Sequence, residues 1–189
     1  EYRTLEDSSA MAELKARWPF ARFPILVDDG NTIAESTIII EHLMLRHGGR
    51  VRWLPEDPLA ALEVRFLDRF FDNDVMSAMQ KPVFAALMQD DARKDEAMVE
   101  ARRALDLAYG WLEQRLEGRT WAVGENLSMA DCAAAPSLFY ADWVHPIADS
   151  FPTLRAYRSR LLAWPSFARA VDEARPYRHY FPLGAPDRD

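Results

Sequence analysis

An acid and a hydroxyl residue stand side by side at the start of a long helical pattern. Glu35 and Ser36 directly precede the run 37–40, which is rich in isoleucine. A helix N-terminus with a hydroxyl can bind a carboxylate, and a glutamate beside it can bind an ammonium. The pair therefore fits the head group of an α-amino acid. The simpler alternative is that Ser36 only caps the helix, and the residue types alone favour it.

A proline begins the strand that precedes this pair. Pro24 cannot donate to a strand ladder, so it must lie at a strand end or on an edge. A cis Phe23–Pro24 bond would turn the N–H and C=O of Phe23 outward, where an extended peptide could pair with them. The alternative is a trans proline, and cis bonds make up only about 5–6% of X–Pro bonds. The local sequence therefore favours trans.

The segment around these residues mixes strand and helix patterns. Short alternating runs predict strands, and an Asp-Asp-Gly turn between two of them predicts a hairpin. Helix formers that end at Pro19, and later at Gly48 or Gly49, predict two helices, the second with Ser36 as N-cap. The predicted elements are a strand at 1–6, a helix at 8–18, hairpin strands at 24–27 and 31–34, and a helix at 36–49.

From Asp57 onward the patterns are helical only. Apolar residues recur at spacings of three and four in a long helix that runs toward Pro82, and again in a second long helix. Further helices are predicted at 126–144, 151–164 and 165–174, before an irregular tail. Because the loop 51–58 holds two prolines and suits a linker, the sequence predicts two domains. They are an α+β domain at 1–50 and an all-helical domain at 57–189.

The helix at 126–144 begins with a capping box. Ser128 as N-cap and Asp131 at the third helical position can each satisfy a backbone N–H of the other. We interpret this pair as a structural element and not as a binding site. Pro136 lies inside the same helix and is expected to kink it.

Composition limits the classes of partner. The 189 residues carry a net charge of −7 without a basic stripe, which argues against nucleic acid. No apolar run is long enough to span a bilayer. The single cysteine, Cys132, excludes an internal disulfide and favours a cytoplasmic location. We predict no metal site.

The motifs together resemble the glutathione S-transferase family. The N-terminal half carries Phe-Pro-Ile-Leu, then Asp-Gly, then Ile-Ala-Glu-Ser at 33–36 before the isoleucine-rich helix. The C-terminal half carries Glu-Asn-Leu-Ser-Met-Ala-Asp at 125–131, which matches the capping-box helix of the family. The resemblance covers essentially the whole chain. It implies an α+β fold, with a thioredoxin-like N-terminal domain followed by an all-α domain.

The resemblance also implies a glutathione site. Pro24 would be cis, and the backbone of Phe23 would pair with the cysteinyl part of glutathione. Glu35 and Ser36 would hold the γ-glutamyl ammonium and carboxylate. Arg22 would lie near the glycyl carboxylate.

The activating residue of the family, a Tyr, Ser or Cys, has no counterpart in this sequence. It lies at the end of the first strand or the start of the first helix, whereas residues 1–6 resemble the second strand. We therefore expect a native chain longer by about one βα unit, with the activating residue before Glu1. Tyr2 and Ser8 are poor candidates because they follow the expected position. Cys132 is interpreted as a buried structural thiol.

The family binds an apolar electrophile between the two domains, beside the first long helix. Aromatic and Met side chains at helical spacing are usually core, but some of those on this helix are candidate walls. In some relatives an acid on this helix contacts the glutathione of the partner subunit. The candidate in this sequence is Asp74, although we favour the interpretation that it is an acid exposed to solvent. The candidate walls are Phe70, Phe71, Met76, Met79 and Phe84, the acid is Asp74, and the residues that could close the pocket are Trp143, His145 and Tyr180.

The implied function is a homodimeric transferase that uses glutathione as co-substrate and transfers its thiolate to an apolar electrophile. Two alternatives stay open. A glutathione-dependent thiol transferase or reductase would carry a cysteine at the missing first-helix position. A non-catalytic binding protein of the same fold would bind glutathione without turnover.

Overall fold

The computed structural model describes residue 3 and residues 7–49 and 51–189. It divides into two compact units, Glu1–Trp53 and Leu54–Asp189. The predicted strand at 1–6 lies outside the described residues except for Arg3.

The first unit contains two helices and one hairpin. Helix α1 is capped by Asp7, whose carboxylate accepts from the backbone N–H of Ser9 at 2.8 Å. Strands β1 and β2 pair antiparallel, and both turn residues, Asp29 and Gly30, have positive φ. This is the backbone that a two-residue Asp-Gly hairpin turn requires, so the predicted hairpin is confirmed. The elements are α1 (Ser8–Arg17), β1 (Ile25–Asp28), β2 (Asn31–Ala34) and α2 (Ser36–Arg46).

The second unit opens with one long, continuous helical stretch. Helix α3 (Pro58–Phe70) passes into a π-helical segment (Phe71–Met76) and then into α4 (Ser77–Leu87). Within the π segment, the backbone N–H of Ser77 bonds to the carbonyl of Asp72, five residues back. The helix continues past Pro82, beyond the region where the sequence predicts its end.

Four more helices complete the second unit, and their inward faces form the core. Tyr109, Leu112, Leu138 and Tyr157 are fully buried. These side chains come from three different helices, so packing in the core holds the helices of this unit against one another. The helices are α5 (Asp91–Arg115), α6 (Met129–Val144), α7 (Pro152–Ala163) and α8 (Pro165–Ala174), followed by a 3-10 turn at Arg175–Tyr180.

Burial differs sharply between the units. Among the described residues of the first unit, only Leu14 is buried.

None of the helices in the described part of the chain combines the length and the hydrophobicity that a membrane span requires.

Candidate functional site

The N-terminus of α2 differs from the predicted cap. Ser36 is the first helical residue, and Glu35 is the N-cap, whose carbonyl accepts the first intrahelical bond from Ile39 N–H at 2.9 Å. The prediction that Ser36 is the N-cap is therefore wrong. The cause is the backbone of Glu35, whose φ of 70° places it outside the helical region. A non-glycine residue at positive φ stores strain of about 1–3 kcal/mol.

This geometry exposes both polar side chains at the positive end of the helix. The carboxylate of Glu35 makes no capping hydrogen bond, and Glu35 and Ser36 are both exposed. The backbone N–H of Ser36 precedes the first intrahelical bond and points out of the helix end. A negative ligand group is favoured beside this end, and Glu35 offers a counter-charge for a positive one.

The loop before β1 lies at the start of the hairpin. The Phe23–Pro24 peptide bond is cis, as the resemblance implies and against the preference of the local sequence alone. The first ladder pair is Ile25 with Ala34, so Phe23 lies two residues before the ladder. Its side chain is exposed.

Arg22 lies close to Glu35. One guanidinium nitrogen of Arg22 is 3.6 Å from a carboxylate oxygen of Glu35, and both side chains are more than half exposed. An exposed pair of this kind contributes about 0–1 kcal/mol, so a ligand can replace either partner at small cost. The guanidinium also lies over the ring of Phe20, 5.5 Å from its centre. The structure thus brings Arg22 and the start of α2 together.

A cavity of about 330 Å³ lies inside the second unit. The C-terminal part of the long helix, the end of α6, the inner face of α8 and the chain after α8 line it, and it is open to solvent on one side. Half of its lining residues are aromatic and most of the others are apolar, which suits an apolar small molecule. The lining rings are those of Phe84, Phe139, Tyr140, Trp143, Tyr177, Tyr180 and Phe181.

Only part of the predicted pocket wall lines this cavity. Met79 does, but Phe71 is fully buried. A fully buried ring offers a ligand no surface, so the prediction for Phe71 is wrong. Phe70 packs against Trp111 instead, with 4.4 Å between ring centres, and Met76 is not among the lining residues.

Of the three residues predicted to close the pocket, two line this cavity and one does not. Trp143 and Tyr180 line the cavity, whereas the ring of His145 bonds to Asp106 at 2.7 Å and lies outside it. The indole N–H of Trp143 is buried and has no hydrogen-bond partner among the described residues. Arg178 lies over the indole, 5.2 Å from the ring centre. The cavity lining therefore combines aromatic rings with one cation.

The remaining candidates have structural or solvent roles. Ser8 is the first residue of α1, Asp74 is exposed on the π segment, and Tyr2 lies outside the described residues. Burial raises the pKa of the Cys132 thiol to about 12, and the Asp131 carboxylate beside it acts in the same direction. A thiol with so high a pKa holds almost no thiolate at neutral pH, so Cys132 is not a nucleophile.

The capping box of α6 is part of a larger buried network. The Asp131 carboxylate accepts from the Ser128 N–H at 2.7 Å and from the Ser128 hydroxyl at 2.9 Å. Its other oxygen accepts from Ala122 N–H at 2.8 Å and from the hydroxyl of Tyr157 at 2.7 Å. Burial raises the pKa of Tyr157 well above its ordinary value, which keeps this hydroxyl protonated. Sequence reasoning found the box but missed Ala122 and Tyr157, because no spacing rule links them to α6.

Comparisons with known proteins identify the family. The model of the glutathione S-transferase N-terminal domain matches residues 1–51, and that of the C-terminal domain matches residues 75–165. A probable maleylacetoacetate isomerase of Caenorhabditis elegans is 27% identical over 93% of this chain and 83% of its own length. A probable glutathione S-transferase of Glycine max is 26% identical over 96% of this chain and 81% of its own length.

A solved structure supports the same assignment. Glutathione S-transferase 1-6 from Anopheles dirus species B superposes with a TM-score of 0.70 at 25% identity, over 92% of this chain and 82% of its own. The fold is accordingly a thioredoxin-like N-terminal domain followed by a helical C-terminal domain. Since both domain models match in order, the chain belongs to the glutathione S-transferase family.

Proposed function

We propose that the first unit binds glutathione through Glu35 and Ser36. The γ-glutamyl carboxylate accepts from the hydroxyl and N–H of Ser36 at the positive end of α2. The ammonium of the same group pairs with the Glu35 carboxylate. What supports this assignment is the exposed pair at the helix start, where neither side chain is used to cap the helix.

The proposal extends to three residues before β1. The backbone of Phe23 pairs with the cysteinyl part of glutathione as an added strand would, next to the cis Pro24. Arg22 exchanges its weak, exposed contact with Glu35 for the glycyl carboxylate. This gives each charged end of the tripeptide a partner of opposite charge. The division of labour into a glutathione-binding domain and a helical domain belongs to the same proposal.

The proposed reaction is transfer of the glutathione thiolate to an apolar electrophile. The thiolate attacks the electrophilic carbon, a new carbon–sulfur bond forms, and the leaving group departs with its electron pair. The aromatic cavity in the second unit supports this substrate class, because its walls are apolar and its polar groups are few. The residue that activates the thiol is not identified among the described residues, and a cytoplasmic location stays a prediction.

Filling the cavity tests this assignment. Val83→Trp places a large ring on the cavity wall and is expected to raise the KM for an aromatic halide about tenfold or more, with the KM for glutathione unchanged. The assay follows conjugate formation by the native-length protein. Met88→Trp is the matched control, because Met88 is exposed near the same helix end and does not line this cavity. Equal kinetics in wild type and Val83→Trp would remove the cavity from the proposal.

A second candidate is a glutathione-dependent isomerase. The similarity to a probable maleylacetoacetate isomerase favours it. An isomerase regenerates glutathione in every turnover, whereas conjugation consumes one molecule for each product. Incubation with maleylacetoacetate and limiting glutathione separates the two reactions. Turnover that exceeds the glutathione supplied would identify the isomerase, while binding without turnover on any substrate would favour the non-catalytic alternative.

We also propose that the protein is a homodimer. An apolar stripe on α3, formed by Leu59, Leu62 and Phe66, is largely exposed, and Phe66 packs edge-on against Trp111 of α5. Exposed apolar patches of this kind mark interfaces. The homodimers typical of the family supply the occupant, a second copy of the chain.

Two charges on this stripe should dissociate the dimer. The double variant Leu62→Glu and Phe66→Glu is expected to elute with the mass of one chain in light scattering, because it buries two unpaired carboxylates in the interface. Leu87→Glu, at an exposed position on α4, is the control and is expected to stay dimeric. A dimeric double variant would exclude this stripe as the interface.

A further inference from the structure

Three potential metal ligands converge at the end of the hairpin. Asp28 is the last residue of β1, His42 lies on α2, and His47 follows the last helical residue of α2. One carboxylate oxygen of Asp28 lies 2.7 Å from Nε2 of His42 and 2.8 Å from Nε2 of His47. All three ligand atoms lie within 4.8 Å of one another. Asp28 lies 14 residues before His42, so no short spacing motif predicts the group.

The local backbone explains the convergence. His42 and His47 are five residues apart, which on a regular helix would turn the two rings away from each other. His47 is the C-cap, however, with φ −113° and ψ −13°, and the chain then reverses at Gly48, whose φ is positive. The end of the helix therefore lets the second ring reach the same carboxylate.

We propose that Asp28, His42 and His47 form a binding site for a divalent transition metal ion such as Zn²⁺. Two imidazole nitrogens and one carboxylate oxygen form a donor set that Zn²⁺ accepts, at about 2.0–2.2 Å for each bond. Ligand atoms around a tetrahedral ion of that size lie about 3.3 Å apart. The two contacts of Asp28 with the histidines are shorter, so each imidazole needs to move about half an ångström from the carboxylate to admit the ion.

The environment fits such a site. The side chains of Asp28 and His42 are mostly buried, while that of His47 is 53% exposed, which leaves an approach from solvent and a position for water. The guanidinium of Arg46 lies 3.2 Å from the Asp29 carboxylate, which offsets its positive charge near the site.

A metal ion at this site would stabilise the first unit, which has the smaller core of the two units. Among the described residues of the first unit only Leu14 is buried, and small cores gain stability from metal ions. The ion would link β1 of the hairpin to the C-terminal end of α2. Ser36 lies at the other end of this helix. The sequence alone gives no metal site, and this proposal replaces that prediction. It is independent of glutathione binding.

Calorimetric titration of ZnCl₂ into the full chain, purified without a histidine tag and treated with a chelator, tests the proposal. We expect one Zn²⁺ per chain, and binding at least about 100-fold weaker in His42→Gln and in His47→Gln. Loss of a residue that only orients a metal ligand costs about 10–100-fold in affinity, and these variants lose a direct ligand. Zn²⁺ should also raise the Tm of the wild type and leave that of His47→Gln unchanged.

His145→Gln is the matched control. His145 also bonds to a carboxylate, that of Asp106 at 2.7 Å, but belongs to no group of three ligands among the described residues. This variant is expected to bind Zn²⁺ like the wild type. His47→Gln changes a half-exposed side chain, and circular dichroism checks that it folds. Wild-type affinity in folded His47→Gln, or no stoichiometric Zn²⁺ in the wild type, would overturn the proposal.

Discussion

Asp131→Ala is expected to lower the free energy of unfolding by about 3 kcal/mol or more. The carboxylate accepts four hydrogen bonds in a fully enclosed position, and its removal leaves three residues with buried donors unpaired. Each buried unsatisfied group costs about 1–3 kcal/mol. The loss reaches beyond α6, because Ala122 lies in the preceding loop and Tyr157 lies on α7.

Urea denaturation of a small variant series measures this effect. Ser128→Ala removes only the hydroxyl and is expected to cost about 1 kcal/mol, the usual value of an N-cap. Tyr157→Phe removes one hydroxyl and its hydrogen bond to Asp131. We expect it to lower the free energy of unfolding by about 1 kcal/mol as well. If Asp131→Ala cost no more than Ser128→Ala, the network would not be a unit and the carboxylate would act as a cap alone.

The second large effect concerns glutathione affinity. Ser36→Ala is expected to weaken glutathione binding about tenfold to 100-fold, because a hydrogen bond to a charged group is worth about 1.5–3 kcal/mol. Stability should change little, since Ser36 is the first helical residue and not the N-cap. Glu35→Gln is expected to weaken binding about fivefold, a smaller loss because Glu35 is more than half exposed.

Calorimetry with matched variants separates specific contacts from general charge effects. Glu41→Gln removes the same charge from the body of α2 and is expected to leave glutathione affinity within about twofold of wild type. Circular dichroism verifies that each variant is folded. Equal losses in Glu35→Gln and Glu41→Gln would mean that the electrostatic field of the helix, and not a contact with Glu35, governs binding.

Local chemistry predicted much of the fold. The Asp-Gly turn fixed the hairpin, and the serine and aspartate of the capping box fixed the start of α6. Periodicity located the long helices, including the buried face of α5. These features depend on residues close together in sequence, so the sequence alone predicts them.

Other features depend on backbone states or contacts that sequence does not display. The positive φ of Glu35 moved the helix cap by one residue. Phe71 is core, four residues after the buried Leu67, and helical spacing alone does not tell a core ring from a pocket wall. The cavity is closed by Tyr177, Phe181 and neighbours from a tail without periodicity. The Asp28 cluster joins residues that only the folded hairpin and helix bring together.

Titration of glutathione into the wild-type protein, beside folded Ser36→Ala, tests the proposed binding site. The wild type is expected to bind glutathione, and Ser36→Ala is expected to bind it at least about tenfold more weakly, through loss of a charge-assisted bond. A folded wild type that does not bind glutathione, or equal binding by both proteins, would contradict the proposed site at the start of α2.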